Sequence, residues 1–169
     1  MAHLMRRNKQ ELSRKDTEAV LRTCTSGVLS TVGSDGFPYA VPLSYTYSEG
    51  ALFFHSATNG EKLDAIARNN RVSFTVIESD EIVPEKFTTK YRSVIARGHA
   101  HLVEEESEKQ YILESLVEKY SAAFVKEGAE TIRKEWNAVS VIRVDVVSVT
   151  GKEGLEFVRE RKIGQSVDR

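Results

Sequence analysis

Residues 27–56 read GVLSTVGSDGFPYAVPLSYTYSEGALFFHS, three extended runs separated by two turn signals. Gly27 to Val32 is one strand. Ser34-Asp35-Gly36 is a turn, because glycine accepts the positive φ that tight turns need. Tyr39 to Tyr47, rich in aromatic and β-branched residues, is a second strand, and Glu49-Gly50 turns the chain into a third over Ala51 to Ser56. Connections this short join neighbours head to tail, so the pattern predicts an antiparallel meander.

Working outward, residues 1–12 are polar and basic and predict an extended arm. Ser13, with Asp16 three residues on, predicts the cap of a short helix with Ala19, Val20 and Cys24 facing inward. Downstream, Asn59 to Asn69 predicts a helix with Leu63 and Ile66 on one face. Arg71 to Ile77 alternates as a half-buried strand, with Val72, Phe74 and Val76 on one side. Glu78 to Phe87 is acidic, contains Pro84 and has no period, so it predicts a long surface loop. Tyr91 to Val103 is a long strand. Glu105 to Tyr120 is an amphipathic helix whose stripe is Ile112, Leu113, Leu116, Val117 and Tyr120. A further helix covers about 129–136. Ala138 to Val149 is the last strand, stopped by Gly151 and followed by a charged tail.

The expected fold is therefore mostly β with peripheral helices (α+β), its antiparallel sheet closed into a barrel. A doubly wound parallel sheet is disfavoured, because it needs a helix between nearly every pair of strands. The 169 residues fit one domain: a core over 13–152, an arm over 1–12 and a tail over 153–169.

Composition excludes several classes. With 40% hydrophobic and 29% charged residues, disorder and membrane spanning are not expected. The basic start has no apolar run behind it, so no signal peptide is expected and a cytoplasmic location follows. A net charge of −1 gives no pull toward nucleic acid. The single cysteine, Cys24, permits no internal disulfide and reads as inert and buried rather than redox-active.

The chemistry concentrates in Phe54-His55-Ser56-Ala57-Thr58-Asn59-Gly60-Glu61-Lys62, where a strand ends and a helix begins. Free N–H groups at a helix start attract anions. Ser56 and Thr58 add hydroxyls, Gly60 permits close approach, and Lys62 supplies a point charge. The stretch fits a phosphate cradle, but taken alone it fits an ordinary capped helix with a solvated lysine somewhat better. Pro42 lies mid-strand and lacks an N–H, so that point is an edge or a bulge. On the strand from Tyr91, the residues Tyr91, Ser93, Ile95, Arg97, His99 and His101 share one face. Gly98, on the other face, admits a close neighbour. His99 and His101 lack companion ligands, and no metal is assigned.

Taken together, Asp35-Gly36-Phe37-Pro38-Tyr39-Ala40-Val41-Pro42-Leu43-Ser44-Tyr45, then Phe54-His55-Ser56-Ala57 and Gly60-Glu61-Lys62-Leu63, resemble the nitroimidazole-resistance proteins. These belong to the pyridoxamine 5′-phosphate oxidase-like flavoproteins. Met5-Arg6-Arg7, Tyr91-Arg92-Ser93-Val94, Arg97-Gly98 and Val149-Thr150-Gly151-Lys152 extend the resemblance. It implies an FMN-binding split β-barrel, a homodimer and FMN sites at the subunit interface. Ser56 and Lys62 would hold the phosphate. Val41, Pro42, Leu43 and Ser44 would lie along the flavin ring, and Tyr91 and Ser93 would approach from the partner subunit. His55 would stand near the flavin as the catalytic residue.

The implied function is a flavin-dependent oxidoreductase acting on a small electron-poor molecule. Trp136 or Tyr91 would stack on the substrate, although Trp136 also fits a structural role. The alternatives are a non-enzymatic split barrel storing flavin or haem, with His99 or His101 as axial ligand, and a strict pyridoxamine phosphate oxidase. The last is disfavoured, because Arg159-Glu160-Arg161-Lys162 reads as a charged tail rather than a substrate motif.

Overall fold

The computed structural model describes residues 5–167. Its strands are β1 (Ser26–Val32), β2 (Pro38–Ser44), β3 (Thr46–Ser48), β4 (Ala51–Ala57), β5 (Arg71–Val83), β6 (Thr88–Leu102) and β7 (Val139–Glu153). The α-helices are α1 (Arg14–Thr23), α2 (Glu61–Arg68), α3 (Glu106–Ser121), α4 (Val125–Glu135) and α5 (Leu155–Val167). All seven strands form one antiparallel sheet in the order β2-β1-β5-β6-β7-β4-β3. Its two outermost strands, β2 and β3, are separated in sequence by Tyr45 alone. A flat sheet would hold them a full sheet-width apart, so the sheet curls until its edges meet: a split barrel.

The strand expected over Tyr39–Tyr47 is thus two strands, broken at Tyr45. The break is stable because α3 takes over the backbone groups that leave the ladder. The Tyr45 N–H donates to Tyr120 Oη at 2.8 Å, and Lys119 Nζ donates to the Tyr45 carbonyl at 3.0 Å. The Tyr45 ring turns into the barrel and packs edge-on against Phe74, centroids 4.7 Å apart.

Alternation along β4 divides the interior in two. Leu52 and Phe54 join Leu29, Phe74, Val76, Val94, Ile142 and Val144 inside the barrel. Ala51 and Phe53 face outward and join Ile112, Leu113, Leu116, Ile132 and Val141 beneath α3 and α4. Gly98 lies where β6 and β7 shift register, and a Cβ there would sit 2.2 Å from the Asp145 carbonyl oxygen. The close neighbour that Gly98 admits is therefore β7 itself.

Five further expectations are corrected. Glu78–Phe87 is not a loop: β5 continues to Val83, pairs with β6, and ends in a 3₁₀ turn at Pro84–Lys86. The hairpin is solvated on both sides, so the apolar alternation that marks a strand is missing. Gly151 does not stop β7, which runs on to Glu153 with Gly151 opposite Val94. The expected tail forms α5 as far as Val167, tied back by Lys90–Glu160 (2.8 Å) and Arg161–Glu153 (2.7 Å) ion pairs. The arm is not free from Met5 on: Leu12 N–H bonds the Gly151 carbonyl and Gln10 is buried, while residues 1–4 lie outside the described part. In α1 the Ser13 cap forms as expected, but Thr17, Val20 and Leu21 are buried while Ala19 is exposed.

Candidate functional site

Sheet register places the predicted residues. β2 is an outermost strand, with Pro42 opposite Val28. One edge of such a strand carries no ladder, and a residue without an N–H is accommodated there. Along β2, Val41 and Leu43 are half-buried and pack on the barrel core, whereas Pro42 and Ser44 are exposed on the outer face. The four residues expected along the ring are therefore split between two faces.

The same alternation separates His55 from Ser56. Ser56 shares the Phe54 side and is 9% exposed, while His55 shares the Phe53 side and opens toward α3 and α4. Beyond β4, α2 begins at Gly60 with φ +128°, and no side chain caps it. The Gly60 carbonyl takes the Leu63 and Asp64 N–H groups, leaving the first amides of α2 without an intrahelical acceptor. Open space lies above Gly60 where a Cβ would project. Lys62 is half-buried and makes no ion pair among the described residues, and burial pulls its ammonium pKa below the ordinary lysine value. Bare amides, open space and an unpaired lysine suit a phosphate monoester.

Ser44 and His55, from strands at opposite ends of the sheet order, meet at the mouth of one cleft of about 450 Å³. Its walls are Leu113, Leu116 and Val117 of α3, Ile132 of α4 and Val139 of β7, and Tyr120, Ser121, Thr131 and Glu135 complete the rim. The wall residues of α3 belong to its apolar stripe. Nothing in the sequence announced Thr131 or Glu135, because α4 meets this cleft only through tertiary packing.

Tyr91 and Ser93 are half-buried on β6 opposite Asp80 and Ile77. Ser93 pairs with Lys152 at one end of β7, whereas Ser56 pairs with Ser140 at the other. The span of β6 from Ser93 to Leu102 is about 30 Å at strand rise. Within one chain, Tyr91 and Ser93 thus stand apart from the Ser56 corner. His99 Nδ1 contacts Asn70 at 3.4 Å and His101 Nδ1 contacts Asp145 at 3.6 Å, both on the barrel exterior. Trp136 is half-buried against the outer core, with Lys109 Nζ 4.4 Å above its ring. Cys24 is half-buried, and burial raises its thiol pKa. No group of three or more His, Cys, Asp or Glu side chains suited to a metal occurs among the described residues.

The sequence model of the family described as pyridoxamine 5′-phosphate oxidase matches residues 13–153. The chain belongs to this family. Solved structures share its fold. A candidate 5-nitroimidazole antibiotic resistance protein from Bacteroides thetaiotaomicron is 24% identical with a TM-score of 0.67, over 84% of this chain and 85% of that one. A conserved hypothetical protein from Mycobacterium tuberculosis is 21% identical with a TM-score of 0.77, over 89% and 90%. The FAD and haem binding protein from Mycobacterium smegmatis is 22% identical with a TM-score of 0.71, over 86% and 73%. No curated protein sequence matches the chain. As a member of the oxidase family, the protein carries the split barrel that the sequence predicted, and no helix among its described residues is long and apolar enough to cross a membrane.

Proposed function

We propose that this protein is a cytoplasmic, homodimeric FMN-dependent oxidoreductase that reduces a small electron-poor molecule, in the manner of nitroimidazole reduction. The observation that carries the proposal is the pairing of an uncapped α2 start and unpaired Lys62 with a cleft mouth formed by Ser44 and His55. FMN has those two ends: a phosphate dianion and a flat ring. A solved structure of the same fold is named for FAD and haem binding, which supports a flavin-type ligand.

In this assignment the α2 amides and Lys62 hold the phosphate, and Ser56 closes the barrel side of the corner. Pro42 and Ser44 present the outer face of β2 to the ring, while Val41 and Leu43 hold that strand onto the core. When bound, the flavin supplies the electrons. His55, exposed on the cleft side of β4, delivers a proton to the reduced substrate, a task suited to imidazole near neutral pH. Tyr91 and Ser93 serve the second subunit's site, because within one chain they stand at the far end of the barrel wall.

The haem alternative has less support. Neither His99 nor His101 lines the cleft.

An absorption spectrum of the purified protein, with and without added FMN, tests the proposal. Yellow protein, or uptake of FMN with about micromolar or tighter Kd, is expected. A Soret band without flavin uptake would refute it.

A further inference from the structure

We infer that the cleft beneath His55 accepts a neutral or cationic apolar molecule and rejects phosphorylated ones, unlike the phosphate ester for which the family is named. Five aliphatic side chains form its walls: Leu113, Leu116, Val117, Ile132 and Val139. A volume of about 450 Å³ suits one small-molecule ring system with substituents. Among the described residues that line it there is no lysine or arginine. The nearby Lys119 is committed elsewhere, donating to the Cys24 carbonyl at 2.7 Å and the Tyr45 carbonyl at 3.0 Å. A phosphate placed here would lose its hydration with no cation in return. The carboxylate at the rim, Glu135, repels anions and attracts cations.

Hydrogen-bonding capacity narrows the class further. Tyr120 Oη lies on the Thr25 and Tyr45 carbonyls at 2.6 and 2.7 Å, and Thr131 Oγ1 donates to Glu127 O at 2.9 Å. With Ser44 turned to the flavin ring, the groups left to meet a ligand are His55, Ser121 and the Glu135 carboxylate. The ligand is therefore an apolar ring whose polar end meets His55 on β4 or Glu135 at the rim. The two faces of β4 thus have opposite tastes: a cation on the α2 side for a phosphate, a carboxylate on the α3–α4 side against one. That this ligand is a substrate rests on the flavin reading, whereas the cleft itself lies within one chain.

The test is equilibrium binding to FMN-saturated protein, or to protein alone if FMN does not bind. The probes are neutral Nile red, cationic proflavine and anionic pyridoxine 5′-phosphate. Two variants at exposed rim positions accompany the wild type: Thr131→Trp, which fills the cleft, and Glu135→Lys, which also suits the C-terminal end of α4. The expected result is binding of Nile red and proflavine, and of pyridoxine 5′-phosphate at least about tenfold more weakly. Thr131→Trp should weaken both dyes. Glu135→Lys should weaken proflavine about tenfold and leave Nile red unchanged. Dye binding indifferent to both variants, or pyridoxine 5′-phosphate binding as tightly as the dyes, would overturn the inference. Failure of FMN uptake with these dye results intact would sink only the flavin proposal.

Discussion

Tyr120 completes the backbone of Tyr45: its hydroxyl oxygen accepts the Tyr45 N–H at 2.8 Å and lies 2.7 Å from the Tyr45 carbonyl. This is the point where the chain leaves one edge of the sheet and enters the other. Tyr120→Phe keeps the ring but strands the Tyr45 N–H, and Tyr45 itself is fully buried. A loss of about 1–3 kcal/mol is expected, read as a lower urea midpoint with unchanged m-value. No change in midpoint would mean that the strand break is held by Lys119 and packing alone.

Phe87 closes the β5–β6 hairpin with φ +49° and is 98% exposed. A bulky L-residue in the left-handed region is strained by roughly 1–2 kcal/mol, and the exposed ring gains nothing in the single chain. Phe87→Asn should therefore raise stability by about 1 kcal/mol, seen as a higher thermal midpoint. A drop would show that the ring is buried in the native assembly.

Glu153 is 1% exposed and pairs with Arg92 at 3.3 Å and Arg161 at 2.7 Å. The Arg161 approach lacks hydrogen-bond alignment, so Oε1 has no hydrogen-bond donor. Glu153→Ala removes the buried acceptor of Arg92, which keeps its 2.9 Å pair with Glu78, and is expected to cost about 1–3 kcal/mol. Hydrogen exchange should show α5 amides opening first. Arg161→Ala, whose side chain is 40% exposed, should cost less than about 1 kcal/mol.

Lys62 has its pKa lowered by burial, and an anion beside it would raise it. Only the ammonium form attracts phosphate. Above the second phosphate pKa of about 6, FMN affinity should hold until pH reaches the free-state pKa of Lys62 and weaken as pH rises through it, earlier than an ordinary lysine would dictate. Riboflavin, lacking the phosphate, should not share this loss, and Lys62→Ala should abolish the difference. Calorimetric titrations of both ligands across alkaline pH check the sign.

His55→Gln should reduce turnover of a nitroaromatic acceptor by about 10²–10⁴-fold, far more than it weakens FMN binding. Undiminished turnover would move the proton donor elsewhere.

The strands over 27–32 and 51–56, α2 and the alternation of β5 and β6 were legible because buried faces impose a period on sequence, whereas the expected three-strand meander is two hairpins, β1–β2 and β3–β4, at opposite edges of the sheet. The β5–β6 hairpin was not, since Ser79–Val83 faces solvent and is held by backbone pairing that leaves no apolar signature. The break at Tyr45 was hidden for another reason: the groups that stabilise it, Lys119 and Tyr120, lie on a helix more than seventy residues away. At the site, the α2 corner could be seen because its chemistry is contiguous. The cleft could not, because His55 and Ser44 acquire their companions from α3 and α4 only once the outer core has formed.

The strand order has one more consequence, for synthesis. β7 joins β6 on one side and β4 on the other, yet it is the last strand to be made. Until Val139–Glu153 has emerged, the nascent chain carries β4 and β6 with open ladders and no wall between them. Closure must await contacts of long sequence separation, which fold slowly. The ribosome-bound chain is thus the form of this protein most exposed to strand-pairing errors and most dependent on protection by chaperones.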